Sequence, residues 1–103
     1  MAITQSTDVQ DDVDGRDRRA LREPMVVVQA APQLYVVYSG EFDRYRVDLE
    51  YPPSCECDDW HYRQPDGGCK HARRVLFTIG RREIPDVAGI DPTLPAQRKR
   101  MDE

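Results

Sequence analysis

The sequence predicts a small α+β fold. The expected unit is ββα, an antiparallel hairpin or three-stranded sheet plus one helix, with disordered ends. Three observations predict it. Two β-branched runs and one alternating segment occupy residues 25–51, and one amphipathic segment follows at 70–79. Between them, residues 55–71 hold all three cysteines and both histidines of a 103-residue chain.

The elements follow in order. Residues 1–23 are polar and Asp-rich without periodicity, and are expected to be a disordered acidic arm. Within it, RDRRALRE at 16–23 could form one helical turn before Pro24 stops it. MVVVQA (25–30) and LYVVYS (34–39) suit strands. Gly40 then marks a turn, and RYRVDLEY (44–51) alternates with a period of two. Tyr45, Val47, Leu49 and Tyr51 fall on one face, and Arg44, Arg46, Asp48 and Glu50 on the other. Pro52 and Pro53 end the ladder. In KHARRVLFTI (70–79), Ala72, Val75, Leu76 and Ile79 form one helical stripe, and Gly80 is placed to stop the helix. The folded domain is expected over 24–84. Residues 85–103, with three prolines, are expected to be an extended tail.

Composition narrows the class. One domain fits 103 residues, and 39% hydrophobic residues is a thin supply for a core, so a staple is expected. Three cysteines cannot complete a disulfide framework. The N-terminal MAITQSTDVQDDVDG has no apolar stretch of signal-peptide type, and nothing resembles a membrane span. A reducing, cytoplasmic setting is expected. The 19 acids are mostly Asp and the 15 bases mostly Arg, for a net charge of −4. That balance resembles the proteins of salt-accumulating halophilic archaea; an ordinary acidic protein from a GC-rich genome is the alternative.

The cysteine cluster carries the chemistry. Its spacing is C-x-C, eleven residues, then C-x-H. Residues i and i+2 of an extended segment point the same way, so Cys55 and Cys57 can present two sulfurs to one point. Cys69 and His71 can do the same if Cys69 precedes a helix and His71 sits in its first turn. Asp66-Gly67-Gly68 supplies the turn. The helix N-terminus favours a thiolate beside it. Three sulfurs and one imidazole suit tetrahedral Zn²⁺. His61, four residues past Cys57, is a competing ligand. Four protein donors leave no open position, so a closed structural site without catalysis is expected. No catalytic residue and no small-molecule substrate are expected.

Cys55-x-Cys57, Trp60, and Cys69-Lys70-His71-Ala72 before Val75-Leu76 together resemble a SWIM-type zinc finger. The resemblance covers residues 34–80. It implies a hairpin before the CxC pair, a helix after the CxH pair, and a role in DNA binding or protein interaction. Trp60 is then expected in the core rather than as a base-stacking platform.

Charge locates a possible partner surface. Residues 60–82 hold one acid, Asp66, against Arg63, Lys70, Arg73, Arg74, Arg81 and Arg82. These six are the candidate nucleic-acid contacts, and Arg73 and Arg74, off the apolar stripe, are expected to face solvent. The competing expectation is a protein partner, with the bases serving to neutralise a thiolate-rich zinc and the acidic strands. Acidity of the whole chain and screening by salt favour protein, whereas the resemblance favours DNA; nucleic-acid binding is the leading expectation and protein interaction the alternative. The Arg98-Lys99-Arg100 run is read as solvated charge.

Overall fold

The computed structural model describes residues 14–50 and 52–101. It is α+β, with a four-stranded antiparallel sheet and four described helices. The order is α1 (Gly15–Arg22), β1 (Met25–Ala31), β2 (Leu34–Ser39), β3 (Asp43–Asp48), β4 (Ser54–Cys55), α2 (Asp58–Arg63), α3 (Lys70–Thr78) and α4 (Thr93–Met101). Among the described residues no helix is long and apolar enough to cross a membrane.

The strands lie in chain order, β1-β2-β3-β4. Gly40, at φ +72°, allows the turn between β2 and β3. The alternation read in the sequence holds: Val47 is buried, Tyr45 and Leu49 pack against the same core, and Arg44 and Arg46 are exposed. Tyr51 lies outside the described residues. The short β4 adds one strand to the expected sheet by pairing Cys55 with Val47 and Ser54 with Asp48. The Glu56 side chain prolongs that ladder, accepting the Arg46 N–H at 2.9 Å.

Helix α3 packs across one sheet face. Met25, Val27, Tyr35, Val37 and Val47 meet Ala72 and Val75 there, together with the three cysteines. Of the expected stripe, Ala72 and Val75 are buried in this core and Ile79 packs against it, while Leu76 is half-buried outside it; Gly80 follows the helix at φ +83°. What the stripe does not reveal is that α3 is buried on its other flank too. Ala20, Leu21, Phe77 and Leu94 form a second cluster, lined by Ile84, Val87 and Ile90. A helix buried nearly all round is a core helix rather than a surface one.

Two sequence expectations therefore change. The compact body extends beyond 24–84 on both sides. At its N-terminal side, α1 runs two turns rather than one: the Asp14 side chain caps it by accepting the Asp17 N–H at 2.9 Å, and it ends before Pro24. Residues 1–13 of the expected arm lie outside the described residues. At the C-terminal side, the expected extended tail holds the nine-residue α4, begun by Asp91, whose carboxylate accepts the Thr93 N–H. Pro95 is tolerated in its first turn, where no intrahelical N–H is needed. Ile84, Val87 and Ile90 pack half-buried against the cluster of Ala20, Leu21, Phe77 and Leu94, although residues 84–90 form no helix.

Arg73 and Arg74 do not face solvent, contrary to expectation, because α1 and residues 91–94 cover that flank of α3. Arg74 is fully buried. It donates to the carbonyls of Ala20 (3.0 Å), Glu23 (2.9 Å) and Met25 (2.9 Å) and to the Asp91 carboxylate (2.6 Å). One guanidinium so joins α1, β1, α3 and the start of α4. Arg73 donates to the Gly68 and Asp66 carbonyls, both at 2.7 Å, and to the carboxylates of Asp14 and Asp17.

Burial pushes the Asp91 carboxyl up, but hydrogen bonds from Arg74 and Thr93 outweigh it and hold the group below the usual carboxylate range. A folded pKa below the unfolded one means that the contribution to stability is complete above the ordinary value of about 4 and is lost as pH falls through the folded value. Acidification below about pH 4 should thus lower the denaturant midpoint of the wild type more than that of Asp91→Asn. Arg74→Met, which removes the cation paired with buried Asp91 and the donor to the Ala20, Glu23 and Met25 carbonyls, should cost about 3–5 kcal/mol in chemical denaturation at neutral pH.

Candidate metal centre

Four donors converge where the sheet, α2 and α3 meet. Cys55 is fixed by its pairing with Val47. Cys57 follows two residues on, and Glu56 between them is exposed, as an extended i, i+2 pair requires. Cys57 also caps α2, its Sγ accepting the Trp60 N–H at 3.4 Å. Cys69 takes the N-cap position of α3 without a close cap bond, and His71 sits in the first turn. The arrangement is the one expected from the spacing.

The loop carrying Cys69 is held from behind. Gly67 and Gly68 have φ of +84° and +95°, a region that favours glycine. A Cβ at Gly68 would lie 3.0 Å from that of Ala72. Arg73 grips the carbonyls on either side of Gly67. This arginine, read from sequence as a nucleic-acid contact, positions the second ligand pair. Tyr45 stacks on His71 with ring centroids 4.1 Å apart. No sequence signal pointed to Arg73 in this role; the inward phase of Tyr45 was readable, its ring partner was not.

Cys55, Cys57, Cys69 and His71 are all buried, and one ligand atom from each lies within 4.8 Å of the others. Bonds of about 2.3 Å to sulfur and about 2.0 Å to nitrogen would set tetrahedral donors about 3.6–3.8 Å apart. The Cys55 Sγ to His71 Nδ1 separation, 3.9 Å, is close to that. The thiols are free rather than paired in a disulfide. Nδ1 is the His71 nitrogen that faces Cys55, while Nε2 is buried without a hydrogen-bond partner among the described residues.

The electrostatics point the same way. Hydrogen bonding from Cys55 lowers the Cys69 thiol to about 4 against the cost of burial, with further help from His71. Cys55 is pushed up, first by its bond to Cys69 and then by burial. Burial is the main cause raising Cys57. Three thiolates packed together repel one another, so one ionises readily and its neighbours resist. A divalent cation would reverse that resistance. The residues fit a soft, four-coordinate ion, and the site could bind a metal.

The remaining sequence candidates fall elsewhere. His61 is exposed on α2, edge-on to Tyr62, and outside the cluster. Trp60 is half-buried against the core, as expected. Of the six basic candidates, Lys70 pairs with Glu23 at 2.6 Å and Arg82 with Asp17 at 2.8 Å. Arg63 is exposed and 3.6 Å from Asp59. Arg81 is exposed and reaches Gln33 at 3.4 Å. With Arg73 and Arg74 buried, the basic island is largely neutralised from within, much of it by α1. Sequence charge did not reveal that α1 supplies the acids: Asp14, Asp17 and Glu23 bond to α3 and Arg82, and Arg16 donates two bonds to Asp59 on α2.

The fold and site define a small α+β protein with a buried Cys₃His centre competent to hold a metal ion. Comparison with family models, with curated proteins and with solved structures gives no match. The site geometry should separate the two histidines in solution. His71→Ala or Cys69→Ser should abolish stoichiometric metal binding, while His61→Ala should leave it at the wild-type level in a Co²⁺ absorbance titration.

Proposed function

We propose that this chain is a zinc-stapled, non-catalytic interaction module of the SWIM type. The observation that carries the reading is the convergence of four buried donors, three sulfurs and one imidazole, at one point. The order of hairpin, CxC pair, CxH pair and helix supports the family resemblance. Cys55, Cys57, Cys69 and His71 would hold the ion, which would neutralise the thiolates and close the fold. Four protein donors fill a tetrahedral shell, which supports a structural role. Reduced thiols at this site suit a cytoplasmic protein.

Between the two partner classes, the arrangement of charge supports protein over DNA. Arg73 and Arg74 are committed to internal carbonyls and carboxylates, and Lys70 and Arg82 to carboxylates. Arg63 and Arg81 alone remain exposed among the six. Two arginines give little electrostatic affinity for a polyanion, since such affinity grows with the number of phosphates neutralised.

Structural zinc in small fingers contributes about 10–16 kcal/mol of apparent binding energy, comparable to or larger than a whole domain's stability of about 5–15 kcal/mol. Elemental analysis of reduced, purified protein should give one zinc per chain, and chelation should collapse the far-UV circular dichroism. A folded, metal-free protein would overturn the reading. On a DNA column at low salt, the wild type should be retained no better than Arg63→Glu/Arg81→Glu. Strong retention lost in that variant would restore the nucleic-acid reading.

A further inference from the structure

One sheet face is covered by α3. On the other, β1 and β2 present apolar side chains to solvent, beside Arg44, Arg46 and Asp48 of β3. Val26, Val28 and Tyr38 are 46%, 45% and 42% exposed, with Val36 half-buried beside them. The runs Val26-Val27-Val28 and Tyr35-Val36-Val37-Tyr38 are apolar on both phases of the strand. Such runs belong to strands covered on both sides, whereas a solvated face alternates with polar residues. A contiguous apolar patch of this kind marks an interaction surface.

Strand register orders the outer face into three rows. The first is Val26, Tyr38 and Arg44; the second is Val28, Val36 and Arg46; the third contains Leu34, Asp48 and Ser54. Arg44 has no ion-pair partner among the described residues. Arg46 lies 3.7 Å from Glu56. The free edge of the same sheet is closed to strand addition along its first half. Gln97 pairs with both the N–H and the carbonyl of Val27, and the Met25 groups are bonded by Asp91, Arg74 and Thr93. The face, not this edge, is open to a partner.

We propose that the outer sheet face binds a second copy of this chain in an isologous, face-to-face dimer. The proposal deepens the protein-interaction reading by naming the partner. A two-fold axis lying in the interface along the middle row reverses strand direction and maps the first row onto the third. Val28 and Val36 then pack on their own copies, Tyr38 meets Leu34 of the second copy, and Arg44 meets Asp48 of the second copy. Apolar groups meet apolar groups and the unpaired cation meets an anion. Arg46 approaches its own copy, with Glu56 beside each to offset the like charge. Packed sheets keep their strands within about 30° of each other, so the rows stay matched near the axis. An interface that matches itself under a two-fold is what a closed dimer requires.

Sedimentation equilibrium of the full, metal-loaded chain should give twice the 11.9 kDa protomer mass. Val36→Lys should sediment as a monomer while keeping the wild-type metal content and circular dichroism. Arg44→Asp should weaken the dimer about tenfold, and Arg44→Asp/Asp48→Arg should recover that loss. A wild type that is monomeric at every concentration, or a dimer indifferent to both Val36→Lys and Arg44→Asp, overturns the proposal. Monomer with one bound zinc would discard self-association and leave the metal reading standing. Absence of zinc in a folded dimer would do the reverse.

Discussion

Helix α3 carries a fully buried guanidinium, and the rest of the structure is arranged around its needs. Arg74 has no solvent exposure and four of its bonds reach Ala20, Glu23, Met25 and Asp91. Such a charge is costly to bury alone, so these partners must be brought to it. Two of the carbonyls belong to the end of α1, where intrahelical partners run out. The helix end and the arginine satisfy each other. Asp91 neutralises the charge and also starts α4 through Thr93. Helices α1 and α4 are thus tied to the middle of the molecule by polar bonds beside the second apolar cluster.

The same helix faces the metal centre with its first turn. Cys69 and His71 come from its N-terminus, Cys55 from the sheet edge and Cys57 from the cap of α2. Arg73 supplies one constraint, binding the Asp66 and Gly68 carbonyls while it pairs with Asp14 and Asp17. The adjacent Arg73 and Arg74 therefore serve different parts of the molecule, one the ligand loop and the other the end of α1, β1 and the start of α4. A metal at the cysteines would add the remaining constraint, and its excess negative charge would lie among Lys70, Arg73 and two helix N-termini.

The sheet divides the molecule chemically. Its inner face joins the core and the metal centre, while its outer face keeps an apolar strip beside Arg44, Arg46 and Asp48. The two faces are linked by strand register alone. Because side chains alternate with a period of two, the same pairing that places Val47 beside Cys55 also fixes which residues share an outer row. The placing of Cys55 in the interior and the outer surface pattern are consequences of one ladder.

The sequence by itself determined what depends on short-range chemistry. The period of two in β3, the helical stripe of α3, the glycines before Cys69 and the two ligand pairs were all readable. Each depends on residues within a few positions of one another. The sequence also supplied the identity of the four donors, since three cysteines and a histidine at that spacing have few alternatives. Tertiary structure alone decided the fate of the charges. Arg73 and Arg74 lie off the apolar stripe and read as surface residues, yet α1 and residues 91–94 bury them. Asp14 and Asp17 lie more than fifty residues before the arginines they neutralise. Ile84, Val87, Ile90 and Leu94 recur every three or four residues, yet 84–90 form no helix, and it is packing against Ala20, Leu21 and Phe77 that covers them. Local pattern records which way a side chain points along its own element; only the packed chain decides what stands opposite.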